Sequence, residues 1–342
     1  MFRLKRQFVV AAGVAGVAAF APFVLGGYDL NLLARFLALS LLALGIVLTW
    51  GHGGILSLGQ GVFFGLGGYA LAMHMKLTPL APGEVPDFMM LGGLEALPAW
   101  WVPFGNPGFA LLAVVLVPGI VAALFAWSVF GRRVGGTYFA LITQALALAF
   151  ATLLVSAQET TGGFNGLTDF QVVLGLDLNG AEAGRTLYWV TLLVLALGWA
   201  GVAALLASRF GTMLRAVRDG ENRVRFLGHD AAAYKIIAFA VAAMLAGAAG
   251  ALFTLHAGVI SPAMVGVVPS IEMVIWVAIG GRTSLAGAIA GTLAVNFARD
   301  AISSAFPDLR PYALGLLFIL VVTLLPGGLA ELLAARFRKV AR

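Results

Sequence analysis

Apolar residues recur in runs of roughly 20 positions with few charges, the length a helix needs to cross the hydrocarbon core of a bilayer. The runs cover 8–27, 30–50, 55–75, 108–130, 135–155, 186–207, 236–257, 269–281, 284–302 and 311–332. The eighth is short and only Gly280–Ser284 divides it from the ninth, so this pair reads as a broken or re-entrant element. The pattern predicts an all-α integral membrane protein of about 8–10 transmembrane helices, with 1–342 forming a single transmembrane domain. Arg3, Lys5 and Arg6 before the first run resemble the start of a signal peptide. The run is long, however, and Pro22 and Phe23 stand where a small-residue cleavage site belongs, so a retained first helix is expected.

Composition narrows the class. Of 342 residues, 61% are hydrophobic and 11% charged, against roughly 25% charged in a soluble domain. The absence of cysteine excludes disulfide staples, thiol catalysis and thiolate metal sites. The 44 glycines suit helices whose backbones approach closely.

A net charge of +6 could suggest a nucleic-acid partner, but its distribution follows the positive-inside rule. With the N-terminus cytoplasmic, ten crossings put Arg132, Arg133, the cluster Arg209–Lys235, Arg282 and the tail Arg336, Arg338, Lys339 and Arg342 on the same side. Glu84, Asp87, Glu95, Glu159, Asp169, Asp177 and Glu182 then fall outside. Both termini are expected in the cytoplasm, and no nucleic-acid partner is expected. Segments 76–107 and 156–185 become external loops, the first a proline-rich lid with Trp100 and Trp101 at headgroup level. Segment 208–235 becomes the one sizeable cytoplasmic loop.

Absent motifs limit the chemistry. Without a Gly-Lys dipeptide there is no phosphate loop, so any ATP must be hydrolysed by another chain. His52, His74, His229 and His256 lack metal-ligand spacing. No pair of apolar-segment acids suggests acid–base catalysis, which makes an enzyme the least supported class.

Candidate functional positions lie where polar groups interrupt apolar stretches. In GHGGILSLGQGVFFGLGG (51–68), Gly61, Gly65 and Gly68 make a smooth helix face, and Ser57 and Gln60 break the lipid-compatible surface. The stretch 135–150 resembles it weakly and offers Thr143 and Gln144. These four either line a translocation path or form hydrogen bonds between packed helices. Glu272 is the acid set within an apolar segment. It is either a path or gate residue, or lies in the first turn of a helix capped by Ser270. Arg35 and His256 are expected to snorkel to the outer headgroups. In TTGGFNGLTDF (160–170), Asn165, Thr168 and Asp169 either line a solute entrance or build a turn and cap. In the inner loop, Met213, Leu214 and Val217, then Val224 and Leu227, form an apolar face interrupted at Gly220. That face predicts a short amphipathic helix on the membrane surface, suited to anionic lipid or to docking a cytoplasmic protein beside Arg215 and Arg218.

Taken together, LSLGQGVFFGLGGYALA (56–72), GTYFALITQALALA (136–149), TTGGFNGLTDF (160–170), SRFGTMLRAVRDGENRVRFLGHD (208–230), KIIAFAVAAMLAGAAGALF (235–253) and SPAMVGVVPSIEMVIWVAIGGRTSLAGAIAG (261–291) resemble the permeases of ABC importers of the branched-chain amino acid, LivM-like type. The resemblance covers nearly the whole chain. Within that group, 85–104 and 165–180 look most like the permeases of urea importers. The resemblance implies a bacterial inner-membrane importer in which this chain pairs with a second homologous permease. It also implies cytoplasmic ATPase subunits that use the ATP, no cofactor in this chain, and an external solute-binding protein. The family's coupling-loop pattern falls on Ala216, Asp219 and Gly228, beside Arg215 and Arg218. The solute is expected to be urea or a short amide, moved by alternating access. The alternatives are a branched-chain amino acid permease and, in another class, an autonomous channel or ion-coupled carrier.

Overall fold

The computed structural model describes residues 16, 18–81, 84–178, 180–305 and 315. All but Gly315 of the tenth apolar run, most of the first, the N-terminal basic residues and the basic tail lie outside the described residues.

Residues 18–24 are helical. The helices that follow are α1 Gly27–Ile46, α2 Gln60–Leu77, α3 Asp87–Leu91, α4 Pro107–Phe130, α5 Thr137–Ser156, α6 Gln158–Thr161, α7 Ala181–Ala207, α8 Arg209–Phe226, α9 Ala231–Ala257, α10 Val267–Gly280 and α11 Leu285–Ala305. Four two-residue strands sit between them: β1 Leu167–Thr168, β2 Val172–Val173, β3 Leu176–Asp177 and β4 Val259–Ile260. The fold is all-α, as the apolar runs predict. Six helical segments among the described residues are long and apolar enough to cross a membrane: Gly27–His52, Pro107–Phe130, Thr137–Ser156, Glu182–Ala207, Ala231–Ala257 and Pro262–Gly280. Gln60, His74 and Lys76 dilute α2 below that standard, and Asn296, Arg299 and Asp300 dilute α11.

The core lies along α9, on which α1, α2 and α4 all pack, α4 also packing on α2. Small residues make these crossings close. A Cβ on Gly250 would collide with the Phe64 carbonyl, one on Gly67 with the Gly247 backbone, and one on Gly45 would sit 2.9 Å from the Ala242 carbonyl oxygen. Without water to drive helices together, such backbone contact is the main source of packing energy in lipid. Phe63, Phe139 and Phe239 fill the space beside it with edge-on rings. α7 packs at the periphery, mainly on α1.

Two apolar runs depart from simple helices. The run 55–75 turns helical only at Gln60, because α1 ends in a wide turn, Val47–His52, and Gly54 then takes φ +68. The pair at 269–302 is indeed broken. With 14 residues, α10 is about 21 Å long, short of the roughly 30 Å hydrocarbon core. It returns as α11 through a turn in which Gly280 lies against the Gly287 backbone.

One end of the bundle gathers the segments 85–106, 157–178 and 258–266. Gly92 lies against Glu159, and Trp101 Nε1 donates to the Thr160 carbonyl at 3.1 Å. β1 pairs antiparallel with β4, Leu167 opposite Ile260. Val172 and Asp177 pair within a small hairpin. Trp100 is exposed, as an interfacial anchor requires, whereas Trp101 is drawn into the packing. The opposite end carries α8.

Candidate functional site

The α2 start brings three of the candidate residues together. Gly59 sits against the Thr143 carbonyl of α5, where no side chain fits. The Leu58 N–H donates to Thr143 Oγ1 at 3.0 Å, and that hydroxyl donates to the Ala140 carbonyl at 2.9 Å. Thr143 therefore ties α5 to the link that precedes α2. Ser57 is buried and accepts a long 3.4 Å bond from the Gly59 N–H. Gln60 differs from both. It is 1% exposed, and neither its amide nitrogen nor its carbonyl oxygen has a hydrogen-bond partner among the described residues. Leaving such a group unmatched costs about 1–3 kcal/mol per atom, so among the described residues Gln60 does not contribute to stability through hydrogen bonding.

Gln144 is half-buried, a third of a turn around α5 from Thr143. Asn165 is not part of this group. It lies exposed in the turn Gly163–Asn165, which Gly162, Gly163 and Gly166 permit with φ of +79, +57 and +71. Thr168 lies in β1 and Asp169 holds φ +60, so 160–170 is a turn that continues into strand pairing.

Glu272 does not sit in a first turn capped by Ser270. The residue before α10 is Gly266, and Ser270 lies inside the helix. Its Oγ accepts the Gly61 N–H at 3.0 Å and donates to the Gly266 carbonyl at 2.9 Å, joining α10 to α2. Glu272 Oε2 instead accepts from Arg299 NH1 at 2.5 Å, an ion pair between α10 and α11 that is about three-quarters shielded. The pair borders a cavity of about 330 Å³, together with Arg35, Asp300, Phe64 and Trp276. Arg35 and His256 do not snorkel. Arg35 Nε donates to Asn31 Oδ1 at 3.0 Å and to the His256 carbonyl at 3.1 Å, while the His256 Nε2 lies 2.8 Å from Thr191 Oγ1. Polar partners contributed by neighbouring helices replace the headgroups for both.

At the other end, α8 turns one face into the bundle. Leu214, Val217 and Val224 are buried, and the helix kinks at Gly220, where its φ/ψ leave the helical range. Leu227 breaks the expected pattern: it is 78% exposed, beside Phe226 at 91%. Arg215 NH1 donates to the Leu206 carbonyl at 3.1 Å. Arg218 NH1 donates to the Gly51 carbonyl at 2.7 Å, and its Nε to Asp219 Oδ1 at 2.8 Å. The bonded guanidinium holds the Asp219 carboxyl below its usual range. Glu221 bridges Arg225 at 2.7 Å and Lys235 at 2.6 Å, fixing α8 to the start of α9. A second cavity, about 800 Å³, runs from Arg218 and Arg282 up to Leu58 and Ala140, within one turn of Thr143.

The family described as "Branched-chain amino acid transport system / permease component" matches residues 29–325. The chain belongs to this family. It is a multi-pass ABC-importer permease of the branched-chain amino acid type, a transport subunit. It is 26% identical to the high-affinity branched-chain amino acid transport system permease protein LivM of Escherichia coli (strain K12), over 95% of this chain and 75% of that one. The LivM of Salmonella typhimurium is 25% identical over the same shares. A probable branched-chain amino acid transport permease LivM of Methanocaldococcus jannaschii is 24% identical, over 80% of this chain and 84% of its own. No solved structure matches the chain.

In this permease, then, Ser57, Gln60 and Thr143 stand next to the wall residues Leu58 and Ala140 of the second cavity without lining it themselves, whereas Asn165 and Glu272 stand elsewhere. Of the residues selected on α8, Arg215 and Arg218 bond back to the permease itself. Ala216 is half-buried, and Asp219 and Gly228 are exposed. The exposed Phe226–Leu227 pair was hidden in the sequence, because helical spacing assigns Leu227 to the buried face; the turn at Leu227–Gly228, with Gly228 at φ +82, rotates it outward. The orphan state of Gln60 had no sequence signal at all.

Proposed function

We propose that this chain is the solute-conducting permease of an importer for urea or a short-chain amide. Separate ATPase subunits would drive it by alternating access, paired with a second homologous permease and fed by an external binding protein. Both termini then lie in the cytoplasm, α8 faces the ATPases, and the 85–106 and 157–178 segments face the binding protein. ATP is used by the partner subunits, and the chain itself needs no cofactor.

The unmatched carboxamide of Gln60 carries the solute reading. Urea is neutral, with one acceptor oxygen and two amide donors, and a carboxamide offers the complementary donor and acceptor in the same plane. Ser57 adds a neutral hydroxyl at the same level. Weak, uncharged lining suffices when the binding protein supplies selectivity. The similarity of 85–104 and 165–180 to urea-importer permeases supports the same solute.

The names of the LivM relatives favour a branched-chain amino acid. So does the cavity bordered by Arg35, Glu272, Arg299 and Asp300, whose opposed charges and apolar walls suit a zwitterion with a hydrocarbon side chain. Uptake by the reconstituted importer separates the two. Labelled urea should enter with ATP, and leucine should neither enter nor compete. Leucine uptake with no urea uptake would overturn the urea assignment. Urea entry into liposomes containing this chain alone, without ATP, would overturn the motor-driven reading.

A further inference from the structure

The link between α1 and α2, Trp50–Gly59, is gripped from two sides by residues distant in sequence. On one side Arg218 of α8 donates to the Gly51 carbonyl at 2.7 Å. On the other, the Arg282 carbonyl lies where a Cβ on Gly51 would stand, and the Arg282 guanidinium rests 5.7 Å from the Trp50 ring centroid. Just beyond these grips the chain is built to bend. Gly51, Gly53 and Gly54 are close together, and Gly54 holds φ +68, a conformation that costs glycine little and other residues more. The same link supplies Leu56 and Leu58 to the wall of the 800 Å³ cavity and leads directly into Gln60.

We infer that Arg218 is the positioning residue that transmits movement of α8 to the Gly51–Gly59 link, so that displacing α8 opens or closes the cavity walled by Leu56 and Leu58. A cation bonded to a carbonyl holds more strongly than a neutral donor. Asp219 fixes the guanidinium by its Nε, so the fork points at Gly51 before any motion begins. When α8 is displaced, the Gly51 carbonyl follows Arg218. The adjacent glycines absorb the backbone rotation, as hinge positions do, and Leu56 and Leu58 swing across the cavity. Arg282 holds the far side, which makes the movement a rotation of the link rather than a shift of the whole bundle. The inference rests on the permease reading above but not on the identity of the solute.

The test uses the complete importer in liposomes, with cysteine-free partner subunits. Because this chain has no cysteine, Leu58→Cys provides a single thiol in the cavity wall. A membrane-impermeant thiol reagent on the ATPase side should label it at rates differing about fivefold or more between nucleotide-free and ATP-trapped states, a shift in the population of two conformations. Arg218→Ala should reduce that difference to less than about twofold while ATP hydrolysis continues, and Arg218→Lys should restore much of it. Gly54→Ala, which leaves every charge in place but sets a Cβ 2.7 Å from Arg218 Cγ, should act like Arg218→Ala. Unchanged nucleotide-dependent labelling in both Arg218→Ala and Gly54→Ala overturns the inference, as does a parent importer whose labelling never responds to nucleotide. A parent that carries leucine instead of urea, yet labels as described, overturns only the solute assignment.

Discussion

Glu272 and Arg299, 27 residues apart in the chain, meet as an ion pair at 2.5 Å that joins the two arms of the broken helical element. The first arm reaches a membrane-spanning length only with the turn Pro262–Met264 that precedes α10, and the second, α11, carries three strongly polar residues. Their mutual packing, with Gly280 against Gly287, makes them one unit.

Removing one charge of this pair should leave the other poorly solvated. Glu272→Gln is expected to cost up to about 1.5–3 kcal/mol, the range for a hydrogen bond to a charged group, read as a lower melting temperature of the purified importer. The double variant Glu272→Gln with Arg299→Gln should cost less than the sum of the singles. Strict additivity would show that the pair contributes nothing.

Thr143 is assigned a structural role by its two hydrogen bonds. Thr143→Val should strand the Leu58 N–H and cost about 1–3 kcal/mol, whereas Thr143→Ser keeps the hydroxyl and should stay near the parent. Equal melting temperatures for the two variants would contradict the assignment.

Gln60 is assigned the opposite role, so its substitution should separate stability from function. Gln60→Leu removes two unmatched buried polar atoms and should leave thermal stability unchanged or raised. Solute uptake should fall by about tenfold or more, equivalent to about 1.4 kcal/mol. A variant that loses stability but transports normally would reverse the interpretation.

The crossings of α9 leave no room for side chains. Gly250→Ala drives a methyl into the Phe64 carbonyl, and overpacking of this kind typically costs about 1–3 kcal/mol. Reduced yield of folded permease is expected in membrane fractions, with little loss from Gly184→Ala, whose Cβ would meet nothing within 4 Å.

Phe226 and Leu227 form an exposed apolar pair at the end of α8, which the proposed orientation turns toward the ATPase subunits. Phe226→Ser with Leu227→Ser should weaken co-purification of the ATPase subunits while membrane insertion persists. Glu in place of Arg215 should instead lower stability, because that guanidinium bonds the Leu206 carbonyl within the permease. Unchanged ATPase retention in the double serine variant would remove the pair from the docking surface.

Which parts of this protein the amino-acid sequence determines follows from the range of the forces involved. Helix length and apolarity are local, so the runs at 108–130, 135–155, 186–207 and 236–257 reappear within a few residues as α4, α5, α7 and α9. The broken element at Gly280–Ser284 is legible for the same reason, as are the glycine-rich turns of 160–170 and the kink at Gly220. What a polar side chain does inside the membrane is not local. Ser57, Gln60, Thr143, Glu272, Arg35 and His256 all read as polar interruptions of apolar sequence. Only the tertiary structure decided that Thr143, Arg35 and Glu272 are matched by partners distant in sequence while Gln60 is not. It also turned Arg218 inward to Gly51 and Leu227 outward, because a hydrogen bond across 167 residues and the rotation at a helix end depend on how whole helices pack. In a medium without water to satisfy stray polar groups, that packing assigns each such group its role.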